Sequence, residues 1–97
     1  MNKMEVVLEF TGISRMVTGL QEWSCSITTK TTLKEIVYLL AERFPAMKGQ
    51  IIEKDGKSLI ATNLFSLNGE KIIRPEEMDE TLKPGDRLIL LSLLAGG

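Results

Sequence analysis

The sequence contains no histidine and a single cysteine, Cys25. Without imidazole, histidine-based general acid–base catalysis, a Ser-His-Asp triad and His-ligated metal centres are excluded. One cysteine cannot close an intramolecular disulfide, so a secreted disulfide framework is excluded as well. Nor can it build a structural zinc site, which draws four nitrogen or sulfur ligands. No metal is therefore expected. There is no P-loop and no Gly-rich dinucleotide fingerprint, so no bound cofactor is expected either. No apolar run approaches the ~20 residues needed to span a bilayer. The opening Met1-Asn2-Lys3-Met4-Glu5 carries no apolar signal segment. These features lead us to expect a cytoplasmic protein away from the membrane. The formal net charge is −1, with Lys and Arg scattered along the chain. Nucleic-acid binding, which needs a clustered basic footprint, is not expected.

What is present is an ordinary globular composition: 97 residues, 43% hydrophobic and 26% charged. That length predicts one domain, residues 1–97. A chain of this size buries roughly 60–65% of its unfolded surface, enough for one core.

Glu5-Val6-Val7-Leu8-Glu9-Phe10 is rich in apolar and β-branched residues and predicts a first strand. Thr11-Gly12-Ile13-Ser14 breaks the pattern, and Gly19 marks a second bend. Trp23-Ser24-Cys25-Ser26-Ile27 alternates with period two, predicting a second strand in a hairpin with the first. Thr32-Leu33-Lys34-Glu35 fits a capping box. Leu33, Ile36, Val37, Leu40 and Phe44 then form one helical stripe, which Pro45 stops.

Residues 46–63 are the least legible. Residues 47–53 fit a helical turn or two, and the Asp55-Gly56 turn equally allows a small hairpin with Lys57-Ser58-Leu59-Ile60 as its second arm. Leu64 to Leu67, Asn68-Gly69 and Glu70 to Ile73 read as strand, type I′ turn, strand. Pro75 to Asp79 fits a short turn or 3₁₀ segment, and Lys83-Pro84-Gly85-Asp86 a type II turn. Residues 87–93 are apolar nearly throughout, as in a strand buried on both faces. The order is strand, strand, helix, strand, short strand, strand. It predicts an α+β fold, a β-grasp, with one main helix packed on one face of a mixed sheet. The first and last strands, being the most apolar, are expected at its centre.

Few residues carry candidate chemistry. Glu76, Glu77, Asp79 and Glu80 form the densest acidic cluster and read as a solvated turn. Cys25 is either a nucleophile or persulfide carrier, or a small buried strand residue. The second reading is favoured, because a strand interior offers neither helix dipole nor histidine to activate a thiol. Trp23 either covers one edge of the core or anchors a partner. The end of the sequence differs. Gly96-Gly97 follows an apolar strand, and Gly-Gly arises at such a place by chance in roughly one chain in two hundred, given ~7% glycine usage. Frayed termini are common. A tail without side chains, however, threads a narrow channel and lets backbone approach a nucleotide closely. A free carboxylate is a poor electrophile, whereas an acyl-adenylate carries a good leaving group for attack by sulfur.

Leu82-Lys83-Pro84-Gly85-Asp86-Arg87-Leu88-Ile89-Leu90, followed by Leu94-Ala95-Gly96-Gly97, resembles the C-terminal signature of the ubiquitin-like sulfur carriers, MoaD/ThiS-like proteins. The helix from Thr32 to Pro45 and the Leu67-Asn68-Gly69-Glu70 turn sit in that family's order. The resemblance implies a ubiquitin-like β-grasp. It implies that an E1-like partner uses ATP to adenylate the carboxylate of Gly97, and that sulfur transfer converts it to a thiocarboxylate. Leu94, Ala95, Gly96 and Gly97 would be a flexible tail inserted into partners, docked through the apolar surface of the last strand and sheet. The most similar members are the small, sulfur-donating subunits of molybdopterin synthase. These form hetero-oligomers with a large subunit and serve molybdenum cofactor biosynthesis. A carrier of this kind is a substrate and subunit, with no catalysis of its own. Relatives with the same ending serve tRNA thiolation, thiamine or cysteine synthesis, or are conjugated to lysines as protein modifiers. A plain β-grasp binding module with incidental glycines is the remaining reading.

Overall fold

A computed structural model describes residues 3–93; the tail 94–97 lies outside the described residues. The chain runs β1 (Lys3–Phe10), α1 (Gly12–Thr18), β2 (Glu22–Thr28), α2 (Leu33–Arg43), a 3₁₀ turn (Pro45–Met47), β3 (Asn63–Leu67), β4 (Lys71–Ile72), a second 3₁₀ turn (Pro75–Glu77) and β5 (Arg87–Ser92). The five strands form one mixed sheet in the order β2-β1-β5-β3-β4. β1 and β5, the two most apolar strands, lie side by side and parallel, with Phe10 beside Leu90. All other neighbours are antiparallel. This is the ubiquitin-like β-grasp.

α2 begins where its capping box requires. The Thr32 N–H donates to Glu35 Oε1 at 2.9 Å, and the Glu35 N–H donates to Thr32 Oγ1 at 3.1 Å. Its stripe of Leu33, Ile36, Val37, Leu40 and Ala41 is buried against Val6, Leu8 and Phe10 of β1 and Leu88 and Leu90 of β5. Phe44, at its C-terminal cap, gathers three elements. Its ring meets Phe10 at 5.5 Å and Trp23 at 5.4 Å, both edge-on, and the Arg43 guanidinium lies 4.9 Å from its centroid.

Residues 46–63 take the hairpin alternative: the only helical residues of the segment end at Met47, and no helical turn spans 47–53. A single 3₁₀ turn buries Met47. A minimal hairpin then pairs Ile52 with Leu59, supported by the Glu53 N–H to Ser58 O and the Ile60 N–H to Ile51 O, each 2.8 Å. It delivers Ile51 and Ile52 into the core. The Asn68-Gly69 turn has φ of 56° and 71°, as type I′ demands. Gly85, with φ of 86°, occupies the position in the Lys83–Asp86 turn that requires a left-handed residue.

Two expectations need correction. The break after β1 is a helix, α1. Thr11 and Ser14 start it: the Thr11 N–H donates to Ser14 Oγ at 3.1 Å, and the Ser14 hydroxyl donates to Thr11 O at 2.8 Å. Gly19 ends it in a left-handed conformation. The second correction concerns β5, which is fully buried on one face only. Leu88 and Leu90 are buried, while Ile89 and Leu91 are half-covered. Its apolar run mimics a two-sided strand, but α2 and the buried residues of 47–52 pack on a single face.

Candidate functional site

The two ends of β5 are built differently. At its start, two turns interlock. The Asp86 N–H closes the type II turn onto Lys83 O at 3.0 Å, and the Lys83 N–H donates to Asp86 Oδ2 at 2.8 Å. The Asn68 amide donates to Asp86 Oδ1 at 3.0 Å and accepts from the Arg87 N–H at 2.8 Å. The Asn68 N–H donates to Arg87 O at 2.7 Å. This network sets the β3–β5 register, from Leu67 beside Leu88 to Asn63 beside Ser92.

At the other end the chain leaves the sheet. The Leu93 N–H donates to Thr62 O at 2.6 Å, and the Thr11 hydroxyl donates to Leu90 O at 2.7 Å. The side chain of Leu93 is 56% exposed. It lines a groove of about 510 Å³ along the β3–β4 edge, whose apolar wall includes Leu59, Leu64, Ile72 and Met78 and whose charged residues include Arg74 and Asp79. The open face of the sheet joins it through Leu64, Ile89 and Leu91, all half-buried. Further along that face Arg87 Nη1 bridges Glu9 and Glu22, each at 3.2 Å, tying β5, β1 and β2 together. The family resemblance implies docking through the last strand and sheet, and the half-exposed residues of β5 lie there. Leu94, Ala95, Gly96 and Gly97 themselves fall outside the described residues.

The other candidates are structural. Cys25 faces the core at 5% exposure, and burial pushes its thiol pKa up, away from the reactive thiolate. Trp23 is half-buried against Phe44 and covers the core at the β2 edge. The acidic cluster fastens β4 to the second 3₁₀ turn, because Lys71 pairs with Glu77 at 3.3 Å and with Glu80 at 3.5 Å. A hydrogen bond from the Arg74 N–H, then the Lys71 ammonium, pull the Glu77 carboxyl below its ordinary pKa. No group of three or more potential metal ligands occurs among the described residues. No described helix is long and apolar enough to cross a membrane.

With β5 at the centre of the sheet and its end beside an apolar groove, the sequence matches one family model over residues 8–97, nearly the whole chain: that of the ThiS family. The chain belongs to the ThiS family. It is thereby one of the ubiquitin-like sulfur carriers of the MoaD/ThiS type. No curated protein sequence matches it. Among solved structures, this ThiS-family chain is similar to small archaeal modifier protein 1 from Methanosarcina acetivorans. That match has a TM-score of 0.78, 24% identity and all of both chains covered. SAMP1 from Haloferax volcanii matches with a TM-score of 0.79 at 19% identity, over 96% of this chain and 99% of that one. A putative molybdopterin converting factor subunit 1 from Pyrococcus furiosus matches with a TM-score of 0.69 at 17% identity, over 92% and 97% respectively. At these identities the likeness establishes the shared β-grasp fold.

Proposed function

We propose that this protein is a sulfur carrier whose working group is the carboxylate of Gly97, at the end of the tail formed by Leu94, Ala95, Gly96 and Gly97. The observation that carries this reading is the ThiS-family match, which runs through β5 to Gly97 itself. The carboxylate oxygen attacks the α-phosphorus of ATP held by an E1-like enzyme, and pyrophosphate leaves. A sulfide-level nucleophile attacks the acyl carbon, AMP leaves, and a thiocarboxylate remains. This protein supplies the tail and its presentation, and the enzyme supplies ATP and catalysis. Glycine at both final positions leaves the backbone free to enter a narrow site. ATP and such an enzyme place the reaction in the cytoplasm.

Within this chemistry we assign the carrier to molybdopterin synthase as its small, sulfur-donating subunit, bound to a large subunit. The fold shared with the putative molybdopterin converting factor subunit 1 supports that assignment. The deciding experiment is intact-mass analysis after incubation with an E1-like enzyme, ATP and a sulfur donor. Oxygen-to-sulfur exchange at Gly97 is expected, and its absence with several such enzymes would overturn the reading. A second reading rests on the likeness to small archaeal modifier protein 1: the same activated Gly97 is joined to lysines of other proteins. An isopeptide bond from Gly97 to a target lysine, found in cells, is its signature.

A further inference from the structure

Beyond the open sheet face, the described residues hold a second exposed apolar feature. It is α1 with the turn that follows. Met16 is 83% exposed, Ile13 37% and Leu20 38%. Ile13 and Met16 are three residues apart and share one side of the helix. Solvent exposure of a methionine this complete gives the fold nothing. The helix itself is firmly held: Ser14 is buried, the Thr11 hydroxyl reaches Leu90 O, and the Gly19 N–H closes onto Arg15 O at 2.9 Å.

Its position follows from the sheet. β1 and β5 are parallel with Phe10 beside Leu90, so whatever follows Phe10 stands at the end of the sheet where β5 leaves. Gly97 is four residues beyond Leu93. A chain that short reaches at most ~14 Å. An enzyme that closes its ATP site around the carboxylate of Gly97 must therefore press against the body of the carrier around that exit. The groove beside Leu93 flanks the exit on one side and α1 on the other.

We propose that α1 is a docking element for the enzyme that adenylates Gly97, with Met16 as its anchor, and that it governs which enzyme accepts this carrier. The proposal rests on the sulfur-carrier reading. Residues 11–21 contain one charge, Arg15, and no acid. The matching surface is an apolar hollow with a carboxylate at its rim. Methionine suits such a hollow because its unbranched side chain adapts to irregular walls. A helix already fixed by its caps loses little freedom on docking.

The test is ATP–pyrophosphate exchange by the adenylating enzyme, with the full chain as substrate. Met16→Glu raises KM for the carrier by about tenfold or more while kcat at saturation stays near wild type, the pattern of lost docking rather than lost chemistry. Arg15→Glu raises KM in the same direction. Tyr38→Glu, on the exposed side of α2, leaves both constants unchanged. Tm stays constant in all three. A wild-type KM for both Met16→Glu and Arg15→Glu overturns the docking role while leaving the carrier reading intact. Failure of the wild-type chain to support exchange with any such enzyme overturns both.

Discussion

The start and the finish of β5 are built differently, the first to hold the strand and the second, on the proposed reading, to present the tail. At the start, five hydrogen bonds join Asn68, Lys83, Asp86 and Arg87, two within the Lys83–Asp86 turn and three from Asn68 to Asp86 and Arg87. At the finish, two main-chain carbonyls, Leu90 and Thr62, hold the exit, and the next side chain, Leu93, stands in solvent. Between them Leu88 and Leu90 are buried. A strand clamped at one end and packed in the middle can deliver its other end to a partner at a constant position. Changes at the two ends should therefore separate: one end should alter turnover without stability, and the other stability without chemistry.

The sharpest break in that contrast is Gly97→Ala. A methyl group in a channel shaped for glycine lowers adenylation on the order of a hundredfold, with Tm unchanged because a terminal residue adds little stability. Pyrophosphate exchange beside a melting curve reads both, and equal turnover would contradict the threading argument. Next comes Leu88→Ala, in the packed middle, which costs about 2–5 kcal/mol in denaturant titration through the cavity it leaves. The fraction that stays folded should accept sulfur normally. Asp86→Ala removes acceptors from two bonds at the clamped end. It should cost about 1–2 kcal/mol, since such bonds contribute about 1 kcal/mol each. A loss below a few tenths would show that the interlocked turns do not stabilise β5.

The smallest effect concerns Glu77, whose pKa is lowered first by the Arg74 N–H and then by Lys71. A depressed carboxyl contributes stability above its ordinary value of 4.5, and that contribution is lost as pH falls below it. Lys71, raised first by its hydrogen bond to Glu77, contributes below its ordinary 10.5 and loses that contribution as pH rises beyond it. Lys71 is exposed and Glu77 only half-buried, so the effect is small and screened by salt. Glu77→Gln should flatten the acid limb of Tm against pH below 4.5. An unchanged limb would assign that limb to other carboxylates.

Much of the architecture is legible in local chemistry. The Thr32–Glu35 box, Pro45, Asn68-Gly69 and Pro84-Gly85 each act within a few residues. Their geometry needs no distant partner, and the structure reproduces all four. The hairpin of β1 and β2 and the central placing of β1 and β5 follow from alternation and apolar content. The start of α1 was also visible in principle: Thr11 and Ser14 have the spacing of a capping pair. Seven residues with two glycines at the edges give too little periodicity to read as a helix, however.

The sequence alone determined which residue types are absent and supplied the terminal glycines on which the proposed role of Gly97 rests. Residue types and the order of neighbours suffice for that: no imidazole, one cysteine, two glycines after an apolar strand. Tertiary structure decided which apolar residues stay dry. Ile51 and Ile52 reach the core only because a minimal hairpin folds back under α2, and β5 keeps one face half-open only because α2 covers the other. The same holds for Met16. Nothing local distinguishes it from a core methionine, and only the packing of α1 at the end of the sheet leaves it in solvent beside the departing chain. Burial is a sum over contacts distant in sequence, so it is settled by the assembled fold.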